Sequence, residues 1–218
     1  MTKPILFNTD MVRAILDGRK TVTRRVVKPQ PLAEVKTLYR KDGTNFWRTH
    51  GADWWYEFRS PCVLGDILWV RETWAKDPFG DGYIYPTEVG GAGQKWHPSI
   101  HMPKEAARLF LRVTDVRVER LLTPFFSDGA AVLALRQEGM ALPRECVECI
   151  GNYRTPACID AGDDSECGIL DEIRGDFSDL WNNTIKPADL PIYGWSANPW
   201  VWVISFEKMN EIKIRETL

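Results

Sequence analysis

The stretch ILDGRKTVTRR, residues 15–25, decides the fold, because it joins a helix to a strand through a turn crowded with cations. Apolar residues recur at helical spacing over residues 11–16, which predicts an amphipathic helix. Thr9 or Asp10 is expected to cap the first turn of this helix. Gly18 is expected to end it in the left-handed conformation, and the β-branched run TVTRRVV then predicts a strand.

The overall charge limits what these cations can bind. The chain has 218 residues, of which 28 are basic and 30 acidic, for a net charge of −2. Proteins that grip long duplexes through phosphates carry a strong basic excess. Contact with nucleic acid is therefore expected to be local, with a nucleotide, a nucleoside or a short single strand. The basic residues of the stretch at residues 15–25 therefore predict a site for a small anion and a nucleobase.

The cellular location is expected to be the cytoplasm. No apolar run has the length of a membrane span, and the first residues, MTKPILFNTD, lack the layout of a signal peptide. We therefore expect no membrane partner. In that compartment the five cysteines are free thiols or metal ligands rather than disulfides.

The order of the predicted elements indicates an α+β protein. Strands are expected near residues 67–70, 109–118 and 198–209, with helices beginning at Ser127 or Asp128 and at Ser178. No βαβ alternation is visible, which favours a small barrel with flanking helices. The prediction is a single domain over residues 1–218, with insertions at about 31–60, 76–104 and 141–176.

A short motif resembles a known superfamily. Gly18, Lys20, Thr23 and Arg25 are spaced like the G-x-K-x-x-E-x-R signature of the ASCH superfamily, which has a PUA-like fold. Thr23 departs from the glutamate of that signature, as in the bacterial amidohydrolases that deacetylate N4-acetylcytidine. The blocks GDILWVRETWA, WHPSIHMPKEAARLFLRVTDVRVERL and YGWSANPWVWVISFEK are similar to ASCH proteins encoded by phages and prophages. The resemblance implies a PUA-like/ASCH small β-barrel with flanking helices and a cysteine-containing insertion.

The same resemblance implies a catalytic set of Lys20, Thr23 and Glu72. A threonine hydroxyl needs a base to become a nucleophile, and a lysine serves as that base only when burial lowers its pKa. In the alternative division of labour, Glu72 is the base toward water and Lys20 stabilises the oxyanion. A third interpretation is an ion pair between Lys20 and Glu72 that only joins the turn to the strand.

Further residues are candidates for ligand contact around this set. Arginine suits phosphate and stacks on bases, and neighbouring arginines on a strand point to opposite faces, so one is expected in the cleft and the other in solvent. Tryptophans can stack a base, and polar residues before the core strands can line the rim. For each of them a purely structural role is the competing interpretation. These candidates are Arg19, Arg24, Arg25, Trp69, Trp74, Ser99, His101, Trp195 and Asn198.

Four cysteines fall in the last insertion. Cys146 and Cys149 form a CxxC pair, which fits one side of a tetrahedral zinc site, and Cys158 and Cys167 follow without a second CxxC. Structural zinc, free thiols and a redox pair remain alternatives. A site of four sulfurs has no open position, so no cofactor is expected in catalysis.

Three functions remain open at this point. The first is an amidohydrolase that deacylates N4-acylated cytidine. The second is a non-catalytic module that binds RNA or a modified base, and the third is a single-strand ribonuclease using Lys20, Arg25 and His101. The expected partner is a modified nucleoside or a short single-stranded RNA. The near-neutral charge favours the first function.

Overall fold

A computed structural model describes residues 2–31, 35–41, 44–50, 55–88, 94–142 and 168–210. Within these ranges the chain is mixed α and β, as the sequence predicts. The strands are β1 (Thr2–Leu6), β2 (Val22–Val26), β3 (Val35–Lys41), β4 (Thr44–His50), β5 (Trp55–Arg59), β6 (Ile67–Arg71), β7 (Ala75–Lys76), β8 (Tyr83–Ile84), β9 (Phe110–Arg120) and β10 (Trp200–Lys208). The helices are α1 (Thr9–Leu16), α2 (Asp128–Gln137), α3 (Gly168–Asn183) and α4 (Leu190–Tyr193).

Helix α1 ends where the sequence predicts but begins with a different cap. The cap is Asn8, whose Oδ1 accepts a hydrogen bond of 2.8 Å from the amide of Met11. Asn8 precedes the predicted caps Thr9 and Asp10, which are helical residues. At the other end Gly18 has φ +74°, the left-handed conformation that a residue with a Cβ adopts only at a cost.

The main sheet has five strands in the order β1-β6-β9-β10-β2. The small closed barrel expected from the sequence is wrong for the part of the chain described here. A barrel closes only when its two edge strands hydrogen-bond to each other, and here β1 and β2 remain at opposite ends of the order. The coarser α+β prediction is confirmed.

One strand pair brings the N-terminus beside the middle of the chain. Strands β1 and β6 are parallel, in register from Thr2 opposite Ile67 to Leu6 opposite Arg71. Their carboxyl ends therefore lie at the same edge. Just beyond that edge, the amide of Phe7 donates to the carbonyl of Arg71 over 3.1 Å.

The remaining strands and helices correct several local expectations. The predicted insertion at residues 31–60 contains the antiparallel sheet β3-β4-β5. Strand β9 is continuous, and Thr114 and Asp115 are both exposed between the buried residues Val113 and Val116. Helix α3 already runs through Ser178, so the cap predicted there is wrong. No helix in the described ranges is long and apolar enough to cross a membrane.

The chain divides into two compact units with separate apolar clusters. Unit 1 comprises Met1–Thr21, Pro61–Val116 and Ile204–Leu218, and unit 2 comprises Val22–Ser60 and Arg117–Val203. In unit 1, one cluster contains Trp74, Tyr85, Met102 and Ala106. In unit 2, helices α2 and α3 pack through Ala131, Val132, Leu135, Leu170, Ile173 and Phe177.

Candidate functional site

Lys20 is a buried lysine in unit 1. The turn after α1 returns the chain, so that the Lys20 amide donates to the carbonyl of Ala14 over 2.9 Å. The residue is only 2% exposed. Its ammonium lies 5.8 Å from the centroid of the Phe7 ring, within range of a cation–π attraction. The side chain is therefore directed to the edge where β1 ends.

Glu72 reaches the same edge from the parallel neighbour of β1. It follows Arg71, whose carbonyl accepts the amide of Phe7. Glu72 is 1% exposed. The Lys20 ammonium thus lies near the Phe7 ring, and Glu72 follows the residue whose carbonyl accepts the Phe7 amide, so two residues of the expected catalytic set are buried in the same unit.

The carboxylate of Glu72 is held by Arg108, a residue that the sequence did not indicate. Arg108 Nε donates to Glu72 Oε1 over 2.9 Å, and Nη2 donates to Oε2 over 2.9 Å. This two-point geometry fixes the plane of the carboxylate as well as its position. The Glu72 side chain is 2% exposed and that of Arg108 21%, so the pair runs from the interior toward the surface.

Arg108 is itself held on three other sides. Its guanidinium carbon lies 4.0 Å from the centroid of the Tyr85 ring. Nη2 also donates to the hydroxyl of Thr87, and Nη1 donates to the carboxylate of Glu88. The turn formed by residues 85–88 therefore surrounds the guanidinium with a ring face, a hydroxyl and a second acid.

The ionisation of this pair is set by two opposing effects. Burial raises the pKa of Glu72, the hydrogen bonds and charge of Arg108 oppose that rise, and Glu88 adds to it. For Arg108, burial lowers the pKa, but the interaction with Glu72 outweighs it, so the pKa of Arg108 is raised. Burial, with Glu72 adding to it, raises the pKa of Tyr85 to about 12. The guanidinium is thus the group that favours an ionised Glu72.

Apolar residues form the wall beside Glu72. Met102 Sδ accepts the Glu72 amide over 3.2 Å and packs with Trp74 and Tyr85. Trp74 is 9% exposed, and its ring stacks on His97 with centroids 4.9 Å apart. Its indole N–H has no hydrogen-bond partner within the described ranges. Trp74 is therefore part of the wall and does not form an open stacking surface.

Three other candidates also belong to unit 1. Trp69 is half-buried and packs on the cluster of Ile67, Phe110 and Met209. Ser99 and His101 form a short 3-10 turn, in which the Ser99 carbonyl accepts the amide of Met102 over 3.1 Å. His101 is exposed. The turn therefore positions Met102, while the His101 side chain faces solvent.

The arginines of β2 belong to unit 2, as does Thr23, which is 1% exposed. Arg24 is 4% exposed and donates to Glu138 over 2.7 Å and to Glu119 over 3.1 Å. Arg25 is half-buried and donates to the Arg24 carbonyl over 3.1 Å. Burial lowers the pKa of Arg25, with Glu138 opposing. Arg24 is the inward arginine, but its nearest partners are acids of the protein.

The other candidates make contacts that stabilise local structure. Arg19 is exposed and pairs with Asp17 over 3.0 Å. Trp195 packs edge-on against Phe125, with centroids 5.0 Å apart. Asn198 adopts φ +46°, and its Oδ1 accepts the amide of Leu122 over 2.8 Å. The Asn198 side chain therefore stabilises a turn.

The predicted zinc ligands Cys146, Cys149, Cys158 and Cys167 lie outside the described residues. Within the described part of the chain, no group of three or more His, Cys, Asp or Glu side chains is arranged to hold a metal ion. Cys62 is buried, and burial raises the pKa of its thiol to about 12.

The main residue missed from the sequence is Arg108. It contacts Glu72 across 36 positions of sequence, so no local spacing reveals the pair. The one available signal is a lone arginine placed directly before a run of core residues, in AARLFLRV.

Comparison of the chain with protein-family models, curated proteins and solved structures found no match.

Proposed function

We propose that the Lys20 and Glu72 site of unit 1 hydrolyses the amide of an acylated nucleoside, with N4-acylated cytidine as the simplest substrate. The observation that carries this proposal is the burial in one unit of a lysine whose ammonium lies near the Phe7 ring and of a glutamate that follows the residue accepting the Phe7 amide. The resemblance of the motif at residues 18–25 to ASCH amidohydrolases supports the same reaction class. Burial strengthens the electrostatic interactions that both charges can make with a substrate, because little water screens them.

The chemistry needs a base, an oxyanion partner and a wall that excludes water. Glu72 accepts a proton from the attacking water, whose oxygen bonds to the acyl carbon. The ammonium of Lys20 stabilises the developing oxyanion. The acyl C–N bond then breaks, and the proton held by Glu72 passes to the departing amine of cytosine. The products are a carboxylic acid and the unmodified nucleoside.

A non-catalytic pocket for a modified base is the second candidate, and one observation favours it. Both oxygens of Glu72 already accept a hydrogen bond from Arg108. In this alternative the carboxylate recognises a donor on the ligand and moves no proton. A single-strand ribonuclease would need an acid and a base beside a phosphate. His101, its candidate acid or base, lies exposed on a turn.

The test is a mass-resolved turnover assay with N4-acetylcytidine. Wild-type protein is compared with Lys20→Met and Glu72→Gln. The exposed residues Lys76 and Glu105 provide matched controls, Lys76→Met and Glu105→Gln. We expect deacetylation by the wild type and both controls, and a loss of at least about 100-fold in kcat/KM for the two site variants.

Further arms of this assay separate the alternatives. Thr23→Val retains activity if water is the nucleophile and loses it if the hydroxyl attacks. If the wild type leaves N4-acetylcytidine intact but binds it, the binding module replaces the hydrolase. Cleavage of a short single-stranded RNA without deacetylation would instead support the ribonuclease. Either result would contradict the proposed function.

A further inference from the structure

The geometry points to Arg108 as the positioning residue of this site: it keeps the Glu72 carboxylate charged and oriented, so that Glu72 is the base and Lys20 is the oxyanion partner. This inference rests on the proposed function and deepens it. It selects one of the two divisions of labour that the sequence left open. It also assigns a role to a residue outside the motif at residues 18–25.

The hydrogen bonds between Arg108 and Glu72 leave room for catalysis. Each carboxylate oxygen has two lone-pair directions, and Arg108 occupies one on each oxygen at 2.9 Å. Among the residues that the structure describes, none occupies the second direction on either oxygen, which is where a water or a ligand donor would bind. Because the guanidinium is planar and bonds at two points, the free directions are fixed in space. Arg108 therefore prevents the carboxylate from turning away from the substrate.

Arg108 has its own support, which a simple surface ion pair lacks. The Tyr85 ring covers one face of the guanidinium at 4.0 Å, and the Tyr85 hydroxyl donates to the carbonyl of Ala106. The amide of Glu88 donates to the Tyr85 carbonyl over 3.0 Å, which closes the turn that presents Thr87 and Glu88. The arginine is thus held before substrate arrives, as a preorganised site requires.

The charge balance explains why Glu72 needs such a partner. A carboxylate that is 1% exposed would take up a proton in the absence of a nearby cation. Arginine does not lose its own proton in proteins, so it supplies a constant positive charge. The charged groups that act on Glu72 are Arg108 and the acid Glu88, and Glu72 in turn acts on the phenol of Tyr85. Among these, Arg108 bonds to both carboxylate oxygens.

The two divisions of labour predict different pH profiles. If Glu72 is the base, the acidic limb of kcat/KM reports the protonation of Glu72. Removal of the Arg108 charge then moves that limb to higher pH. If a neutral Lys20 is the base instead, the limb reports Lys20. In that case the loss of Arg108 lowers the rate but does not move the acidic limb of the profile by the same amount.

The experiment compares the wild type with Arg108→Met and Arg108→Lys. The matched control is Arg112→Met, because Arg112 lies on β9 and is 40% exposed, 3.9 Å from Glu207. Deacetylation of N4-acetylcytidine is followed from about pH 5 to about pH 9. In parallel, carbon-13 NMR of carboxyl-labelled protein follows the titration of Glu72, whose signal is assigned by its loss in Glu72→Gln.

We expect Arg108→Met to move the acidic limb and the Glu72 titration upward together, by about one pH unit or more, with kcat reduced more than KM. Arg108→Lys keeps the charge without the two-point geometry. The pH at which Glu72 titrates should therefore stay close to that of the wild type, whereas kcat falls about tenfold. Arg112→Met follows the wild type. An unchanged Glu72 titration in folded Arg108→Met would overturn the inference. Absence of turnover in the wild type defeats the proposed function alone, because the NMR titration still tests Arg108.

Discussion

Each of the two units buries a cluster of opposite charges, but the most buried member is an acid in one cluster and a base in the other. In unit 1 the most buried member is a carboxylate, Glu72, held by one arginine that extends toward solvent. In unit 2 the most buried member is an arginine, Arg24, whose side chain is 2% exposed and lies between the acids Glu138 and Glu119. The same residue types therefore give different electrostatic surroundings.

This difference shows that a buried charge does not by itself identify a functional site. The terminal nitrogens of Arg24 both donate to acids, so the arginine is neutralised within the protein. Within the described residues, each oxygen of Glu72 accepts one hydrogen bond from Arg108, and Glu72 follows a strand end in the unit that also holds the buried Lys20. We therefore interpret the cluster of unit 2 as structural and that of unit 1 as the place for chemistry.

The largest expected effect is on stability, in unit 2. Arg24→Met should lower the free energy of unfolding by about 3–5 kcal/mol, because it removes the buried guanidinium that donates to the buried carboxylate of Glu138 over 2.7 Å. Urea unfolding measures this loss. Addition of Glu138→Gln should recover part of it, since a buried neutral amide loses less than a buried carboxylate when Arg24 is absent. A loss below about 1 kcal/mol would show that Arg24 is not a structural centre.

The corresponding change in unit 1 should cost less stability. Glu72→Gln leaves Arg108 partly exposed and still bonded to Glu88, so we expect a loss of about 1–2 kcal/mol by urea unfolding. The comparison breaks if Glu72→Gln unfolds the protein as severely as Arg24→Met does. Glu72 would then be a structural residue of the same kind.

The third effect is a dependence of stability on pH. The pKa of Glu72 is raised above its ordinary value of 4.5, with burial as the main cause. The folded state thus holds this proton more tightly than the unfolded state, and the stability from protonated Glu72 is lost as pH rises from about 4.5 through the raised value. The stability of the wild type minus that of Glu72→Gln should therefore decrease over this window.

Asp66 provides a control of opposite sign for that measurement. Burial raises the pKa of Asp66, but the hydrogen bonds from Lys3 and from the amide of Val63 outweigh it, so the pKa is lowered below 3.8. Asp66 therefore stabilises the fold at pH values above its ordinary pKa of 3.8, and this contribution is lost as pH falls through the lowered pKa. The stability of the wild type minus that of Asp66→Asn should decrease toward acid. Slopes of the same sign for both residues would contradict the assignment.

The smallest effects are expected at the outer acids. Glu119 is 18% exposed and its loss in Glu119→Gln should cost about 1 kcal/mol, whereas Glu88 is 49% exposed and Glu88→Gln should cost at most about 0.5 kcal/mol. Thermal unfolding at low and high salt measures both, and salt should reduce the Glu88 effect more. Equal losses of stability in the two variants would contradict the view that the charge cluster of unit 2 is more buried than that of unit 1.

Local patterns predicted the elements that depend on neighbouring residues. The helical spacing before Gly18, the β-branched run after it and the apolar strands near residues 67 and 200 all correspond to observed elements. The predicted caps of α1, Thr9 or Asp10, lie one and two residues after the observed cap, because Asn8, Thr9 and Asp10 can all accept a hydrogen bond from a first-turn amide. Sequence spacing could not decide among them.

Long-range pairings could not be predicted from such patterns. Strand β1 lies parallel to β6, which needs a long connection, and the turn residues carry no signal for it. The ion pair of Arg24 with Glu138 spans 114 positions, and that of Glu72 with Arg108 spans 36. Lys20 and Glu72 were identified through the resemblance. Their burial and the role of Arg108 required three-dimensional contacts.

The most direct test of the account compares Glu72→Gln with Glu138→Gln in the same deacetylation assay. Each rate of N4-acetylcytidine turnover is divided by the folded fraction, measured by circular dichroism in the same buffer. We predict that Glu72→Gln loses at least about 100-fold in kcat/KM, while folded Glu138→Gln retains the wild-type rate. Equal losses in the two variants, or full activity in Glu72→Gln, would contradict the assignment of chemistry to unit 1.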